Sequence, residues 1–228
     1  MPSYRLAQTL DCVPMRRLTH LTLSPPSRVA RLMLGEKRLA FDPVSAEDPQ
    51  AHLPVFFDLD GTRVEGLWAV IDHLEGTYPD RALVPEDPAA RADCLRWLDW
   101  AMGPLGERAT RKILYEKAAQ RFTGAPTAGA PDMNVIRQGR EALRAALTVV
   151  GKAAETNGNL VTRECLLADL AVAAHLSALD YFGEVPWSEH PPAGEWYVRM
   201  KSRPSFRSLL SDRLPGQPPV MHYAELDF

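Results

Sequence analysis

A chain of 228 residues, 46% of them apolar, can bury a sizeable core as one large domain or two smaller ones. Its net charge of −3 excludes nucleic-acid binding driven by bulk charge, and no apolar run approaches the roughly 18 residues that mark a membrane span. Three scattered cysteines, Cys12, Cys94 and Cys165, make neither a disulfide framework nor a metal site, so a soluble protein of the reducing cytoplasm is expected.

Residues 1–14 show no period and end in Pro14, so Met15 is an alternative start and residues 1–14 an extension. Met15-Arg16-Arg17 opens a strand that continues through Thr19–Ser24. An amphipathic helix follows over Ser24–Leu39, with Pro26 in its first turn, where a missing N–H costs nothing. Phe41 to Pro54, with two prolines and the acids Asp42, Glu47 and Asp48, reads as a short loop. Leu53-Pro54-Val55 then leads into a strand, and Asp60-Gly61 marks a hairpin turn before Val64. A second helix begins after Glu65-Gly66.

From Asp87 the pattern is helical throughout. One long helix runs from Pro88 to the Thr123–Asp132 loop and another from about Asn134 to Glu155. The run Leu166–Phe182 is apolar on nearly all sides, which predicts a buried central helix. A final helix spans Trp196–Leu210, kinked or restarted at Pro204, and a proline-rich tail follows from Leu214. The expected division is a thioredoxin-like α/β domain over 15–82, an all-α domain over 87–212 and a tail over 213–228.

Several motifs carry a resemblance. Ser-Pro-Pro-Ser-Arg at Ser24, the Leu53-Pro54-Val55 step, the Leu166–Phe182 helix with Asp169, and the segment from Trp196 through Arg203-Pro204-Ser205-Phe206 together resemble the glutathione S-transferase superfamily. The ending His-Tyr-Ala-Glu-Leu-Asp-Phe and the stretch Thr110–Phe122 are similar to one group within it, the bacterial FtsZ-localized protein A group. The superfamily implies a homodimer with a cis-proline at Pro54. The group implies a non-catalytic partner of the division protein FtsZ, with no cofactor.

The superfamily's glutathione site would fall on Ser24, Ser27, Pro54, Val55, Glu65 and Gly66. In this chain it reads as vestigial. Ser24 is the candidate hydroxyl for stabilising a thiolate at a helix N-terminus, but a serine there also serves as an ordinary N-cap. Ser27 stands where thioredoxins place their second cysteine, so no redox dithiol exists at this helix start. Gly66 lacks the hydroxyl expected beside Glu65, leaving a backbone N–H as the remaining anion contact. Asp42, Glu47 and Asp48 would repel a glycine carboxylate. Leu166 replaces a capping serine, which gives Asp169 a structural role.

Two further features point to protein partners. Arg108, Arg111, Lys112, Lys117 and Arg121, facing two acids, Glu107 and Glu116, form one basic stripe, and Arg137, Arg140 and Arg144 form a second. A solvated helix face explains such stripes, and an acidic partner explains them equally well. The tail ends in His222, Tyr223, Leu226, Asp227 and Phe228, which either dock on the protein's own surface or act as a linear recognition peptide. The resemblance favours the peptide, directed at a second division protein. The main alternative is a serine-type glutathione transferase acting through Ser24, with glutathione as cosubstrate. A ligand-binding, chaperone-like protein is the third reading.

Overall fold

The computed structural model describes residues 15–49, 51–123 and 130–225, with backbone alone at 119–121 and 123. Residues 1–14, with the question of the start, lie outside these, as do Leu226, Asp227 and Phe228 and the side chain of Arg121.

The N-terminal part runs β1 (Arg16–His20), α1 (Pro25–Glu36), β2 (Phe41–Ser45), β3 (Val55–Phe57), β4 (Arg63–Glu65) and α2 (Leu67–Thr77). The sheet order is β2-β1-β3-β4, with β1 and β2 parallel and the other pairs antiparallel. The Leu53–Pro54 peptide is cis.

Two local expectations are corrected. The first strand ends at His20, because the next residues turn back on α1. Ser27 accepts the Leu21 N–H at 3.1 Å, and the Arg28 Nε donates to the Thr22 carbonyl at 3.0 Å. Phe41–Ser45 forms an edge strand where a loop was expected. Its residues beyond Phe41 are all exposed, so no alternation marks it, and an edge position tolerates Pro43.

The helical part opens with consecutive helical segments that run on from one another and kink at Ala118. They comprise α3 (Pro88–Trp100), a π-helical segment (Ala101–Thr110) and α4 (Arg111–Thr123). Pro104 lies in the wider π turns, which suit a residue that cannot donate to the helical ladder. Asp132 caps α5 (Met133–Asn157) by accepting the Asn134 and Val135 N–H groups. Every residue of α6 (Leu167–Asp180) is buried. Asp169 ties its start in place, accepting N–H groups from Leu160, Leu166 and the Trp196 indole at 2.9–3.1 Å. After α6 come α7 (Pro191–Lys201) and, beyond a short 3-10 turn at Pro204–Phe206, α8 (Arg207–Leu210).

The two parts meet where α1 packs on α6, and charge is buried at that seam. Arg28 is fully buried and donates to Thr22, Ser177, Asp212 and Tyr223. Arg31 grips both oxygens of Asp212 at 2.9 Å. Such a charge is tolerable only because nearly every donor has a partner.

The tail is a docked strap over the residues described. Leu214 donates to the Tyr181 hydroxyl, Tyr181 donates to the Gln217 carbonyl, and Val220 donates to the Tyr181 carbonyl. Tyr223 is fully buried, accepting from Arg28 at 3.1 Å and donating to the Leu209 carbonyl at 2.9 Å. His222 lies 3.3 Å from Asp180. Of the two ways of reading the tail, docking therefore holds for His222 and Tyr223. A phenol with so much apolar ring gains more from burial than from waiting in solvent for a partner.

Candidate functional site

Ser24 stands at the N-cap of α1, where the chain leaves the sheet. Its N–H donates to Leu21 at 3.0 Å and its carbonyl accepts from Arg28 at 2.9 Å, but its hydroxyl makes no capping bond. The capping role expected of that hydroxyl is absent. Instead Ser24, Pro25 and Pro26 form one wall of a cleft of about 270 Å³. The opposite wall comes from the π segment, α4 and α6, including Gly106, Thr110, Arg111, Tyr115 and His175.

That far wall is mostly neutral. His175 is buried and its Nδ1 lies 2.9 Å from the Thr110 hydroxyl. Burial pushes its pKa down to about 3, so it stays uncharged at neutral pH. Arg111 supplies positive charge, but it pairs with Glu107 at 3.1 Å and lies over the Tyr115 ring. The cleft holds a hydroxyl and a helix start on one side and an aromatic surface on the other. It has no acid–base pair beside Ser24 among the described contacts.

At Glu65 and Gly66, where the resemblance places contacts to the γ-glutamyl end of glutathione, the backbone and a neighbouring ring disfavour an added side chain. Gly66 has φ of +79°, a conformation that disfavours any side chain. Its N–H, expected to be available to an anion, donates to the Pro54 carbonyl at 2.8 Å. The His52 ring occupies the space a side chain would need, lying 2.6 Å from an ideal Cβ. Glu65 is turned toward Arg63 in an ion pair. Val55 is buried in β3, paired to Thr19 and Glu65. Ser27 is buried and spent on the Leu21 N–H. His52, which no spacing in the sequence connects to Gly66, is the residue that sequence reasoning missed.

The basic residues divide into two groups. Lys117 and Arg140 converge on the buried Glu184, with Arg140 bidentate at 2.6 and 3.0 Å. Burial alone would raise the Glu184 carboxyl, but these two partners hold it below its ordinary range. Arg144 pairs with Glu189 at 2.9 Å, and Arg137 with Glu141 at 2.7 Å. Lys112 bonds across α4 and α5 to Gln138 at 2.5 Å. Glu116 accepts the Asp132 N–H at 2.7 Å, closing the loop before α5. The stripes are therefore not a uniformly free basic face. Lys117 and Arg140 are structural, whereas the exposed pairs of Arg137 and Arg144 can exchange partners at little cost.

Among the described residues no cluster of histidine, cysteine or acidic side chains can hold a metal, and no helix is long and apolar enough to cross a membrane.

The chain is 39% identical over 227 residues to FtsZ-localized protein A from Caulobacter vibrioides, covering 93% of this chain and 98% of that protein. It belongs to the FtsZ-localized protein A family. Among solved structures, FzlA from C. crescentus superposes with a TM-score of 0.88 at 38% identity, covering 94% of this chain and all of the other. A glutathione S-transferase from Rhodospirillum rubrum F11 gives the same TM-score and coverage at 36% identity. The fold is thus that of the glutathione S-transferases, a thioredoxin-like unit followed by a helical one. No family model matches the chain.

Proposed function

We propose that this protein is a non-catalytic, glutathione S-transferase-like adaptor that binds FtsZ in the cytoplasm and acts at the division site as a homodimer. The observation that carries this reading is the end-to-end similarity to a protein named for its localization with FtsZ. The crowding of Gly66 by the His52 ring and the engagement of its N–H by Pro54 agree with it, because an adaptor has no need of glutathione. The helical part is the proposed FtsZ-binding surface, through the half-buried Lys112 on α4 and the exposed Arg137 and Arg144 on α5. Leu226, Asp227 and Phe228 are the remaining candidates for contact with a second division protein.

A second reading has one observation in its favour. The Ser24 hydroxyl makes no cap and borders a cleft of about 270 Å³, as a serine-type glutathione transferase would require. Calorimetric titration with glutathione, run beside an aryl-halide conjugation assay, separates the two. The adaptor reading expects neither heat of binding nor conjugation. Micromolar affinity together with turnover that Ser24→Ala abolishes would establish the enzyme instead. Pelleting with FtsZ polymers tests the binding claim itself.

A further inference from the structure

A groove of about 500 Å³ opens where the loop after α6, the first turns of α7 and the C-terminal strap meet. Val185, Pro186 and Trp187 come from the loop, Glu195 and Val198 from α7, and His222 from the strap. These walls are held in place. Trp187 stacks on Tyr197 with centroids 4.5 Å apart and donates its indole N–H to Asp180 at 2.8 Å. His222 lies 3.3 Å from the same Asp180 oxygen, and its carbonyl accepts from Lys201 at 3.2 Å. The strap therefore does more than cover the core, since it supplies one side of a preformed groove.

The groove's surroundings have a distinct chemistry. Met221, directly before His222, is 91% exposed, although a large apolar side chain is normally covered. Glu195 is exposed in the groove wall. Glu225, also exposed, donates its N–H back to the His222 carbonyl. Neither acid joins an ion pair among the described residues, while Arg144 nearby in the fold is engaged with Glu189 and Lys201 is buried. Among the residues that line the groove, the exposed charged side chain is Glu195.

We propose that this groove docks a short basic and apolar peptide segment of a protein partner. An aliphatic or proline side chain would rest on Val185, Pro186 and Val198, and a lysine or arginine would meet Glu195. The fixed walls reduce the ordering cost of binding. This goes beyond the FtsZ reading and does not depend on it.

The test uses the full chain as bait for a displayed library of random seven-residue peptides, followed by fluorescence anisotropy on the enriched sequences. Enriched peptides should pair an aliphatic or proline residue with lysine or arginine. Glu195→Lys should weaken them about fivefold, as expected for reversing an exposed charge. Ser188→Trp, at an exposed position lining the groove, should block them sterically with an unchanged melting temperature. Control binding to FtsZ polymers should survive both changes, which separates this claim from the function proposed above. The proposal fails if no peptide is enriched, if acidic peptides are selected, or if both variants bind like the parent. It also fails if the variants instead alter the sedimentation of the protein alone, because the groove would then be a self-interface.

Discussion

Tyr223 lies near the end of the chain, yet its hydroxyl meets the guanidinium of Arg28 in the first helix. Removing that hydroxyl leaves a buried cation one acceptor short. Tyr223→Phe should therefore cost about 1–2 kcal/mol in chemical denaturation. Tyr223→Ala, which also empties ring volume, should cost about 3–5 kcal/mol. A loss under half a kilocalorie for the alanine variant would show that the strap is not docked. Gly66 supports a second prediction at this scale. Gly66→Ser restores the hydroxyl that the superfamily carries, but φ of +79° and the His52 ring oppose it. We expect about 1–3 kcal/mol of destabilisation and no gain of glutathione binding by calorimetry. The buried histidines set a pH dependence. Burial lowers His20 to about 4, with Arg31 assisting, and burial lowers His175 to about 3. Between pH 6.5 and 4 the unfolded chain binds protons that these folded sites refuse, so stability must fall on acidification. Asp169, raised to about 6 by burial, contributes with the opposite sign from about pH 4 to 6. The comparison of His175→Asn with the parent isolates the histidine, and the melting temperature of the variant should fall less steeply from pH 6.5 to 4.

At the scale of elements, the ends of the chain behave differently from one another. Truncation before Leu214 removes the Tyr181, Arg28 and Lys201 contacts and should destabilise the whole fold. Removal of residues 226–228 alone should impair division; the melting temperature and FtsZ co-sedimentation of the same variant, measured beside it, distinguish a lost partner contact from a loss of stability. The basic stripes divide in the same way. Arg140→Glu sets a second carboxylate against the buried Glu184 and should cost about 1–3 kcal/mol, whereas Lys112→Glu should be nearly neutral in stability. Much of this architecture was legible in the sequence. The Leu166–Phe182 run announced a buried helix, and Asp60-Gly61 announced a hairpin, because apolar period and turn chemistry are local signals. The edge strand Phe41–Ser45 was not legible, since its exposed residues and Pro43 carry no period. Nor was the approach of His52 to Gly66, which depends on a ring arriving from a separate loop. The basic stripes were visible as charge, but their partners Glu184 and Glu189 lie more than forty positions away from Arg140 and Arg144 along the chain.

At the scale of the whole molecule, the protein keeps a glutathione S-transferase fold and ties Tyr223 of its tail into the seam between its two parts. The central claim is that the intact protein binds FtsZ polymers through the helical surface. Co-sedimentation of the purified full-length chain with assembled FtsZ, repeated across a salt series, tests it most directly. The account predicts co-pelleting that weakens with added salt, because exposed charge attraction is screened within about 8 Å at physiological ionic strength. It also predicts a clear loss on Lys112→Glu combined with Arg137→Glu, at an unchanged melting temperature. A protein that stays in the supernatant at low salt, or pellets equally with and without those two charges, would contradict it.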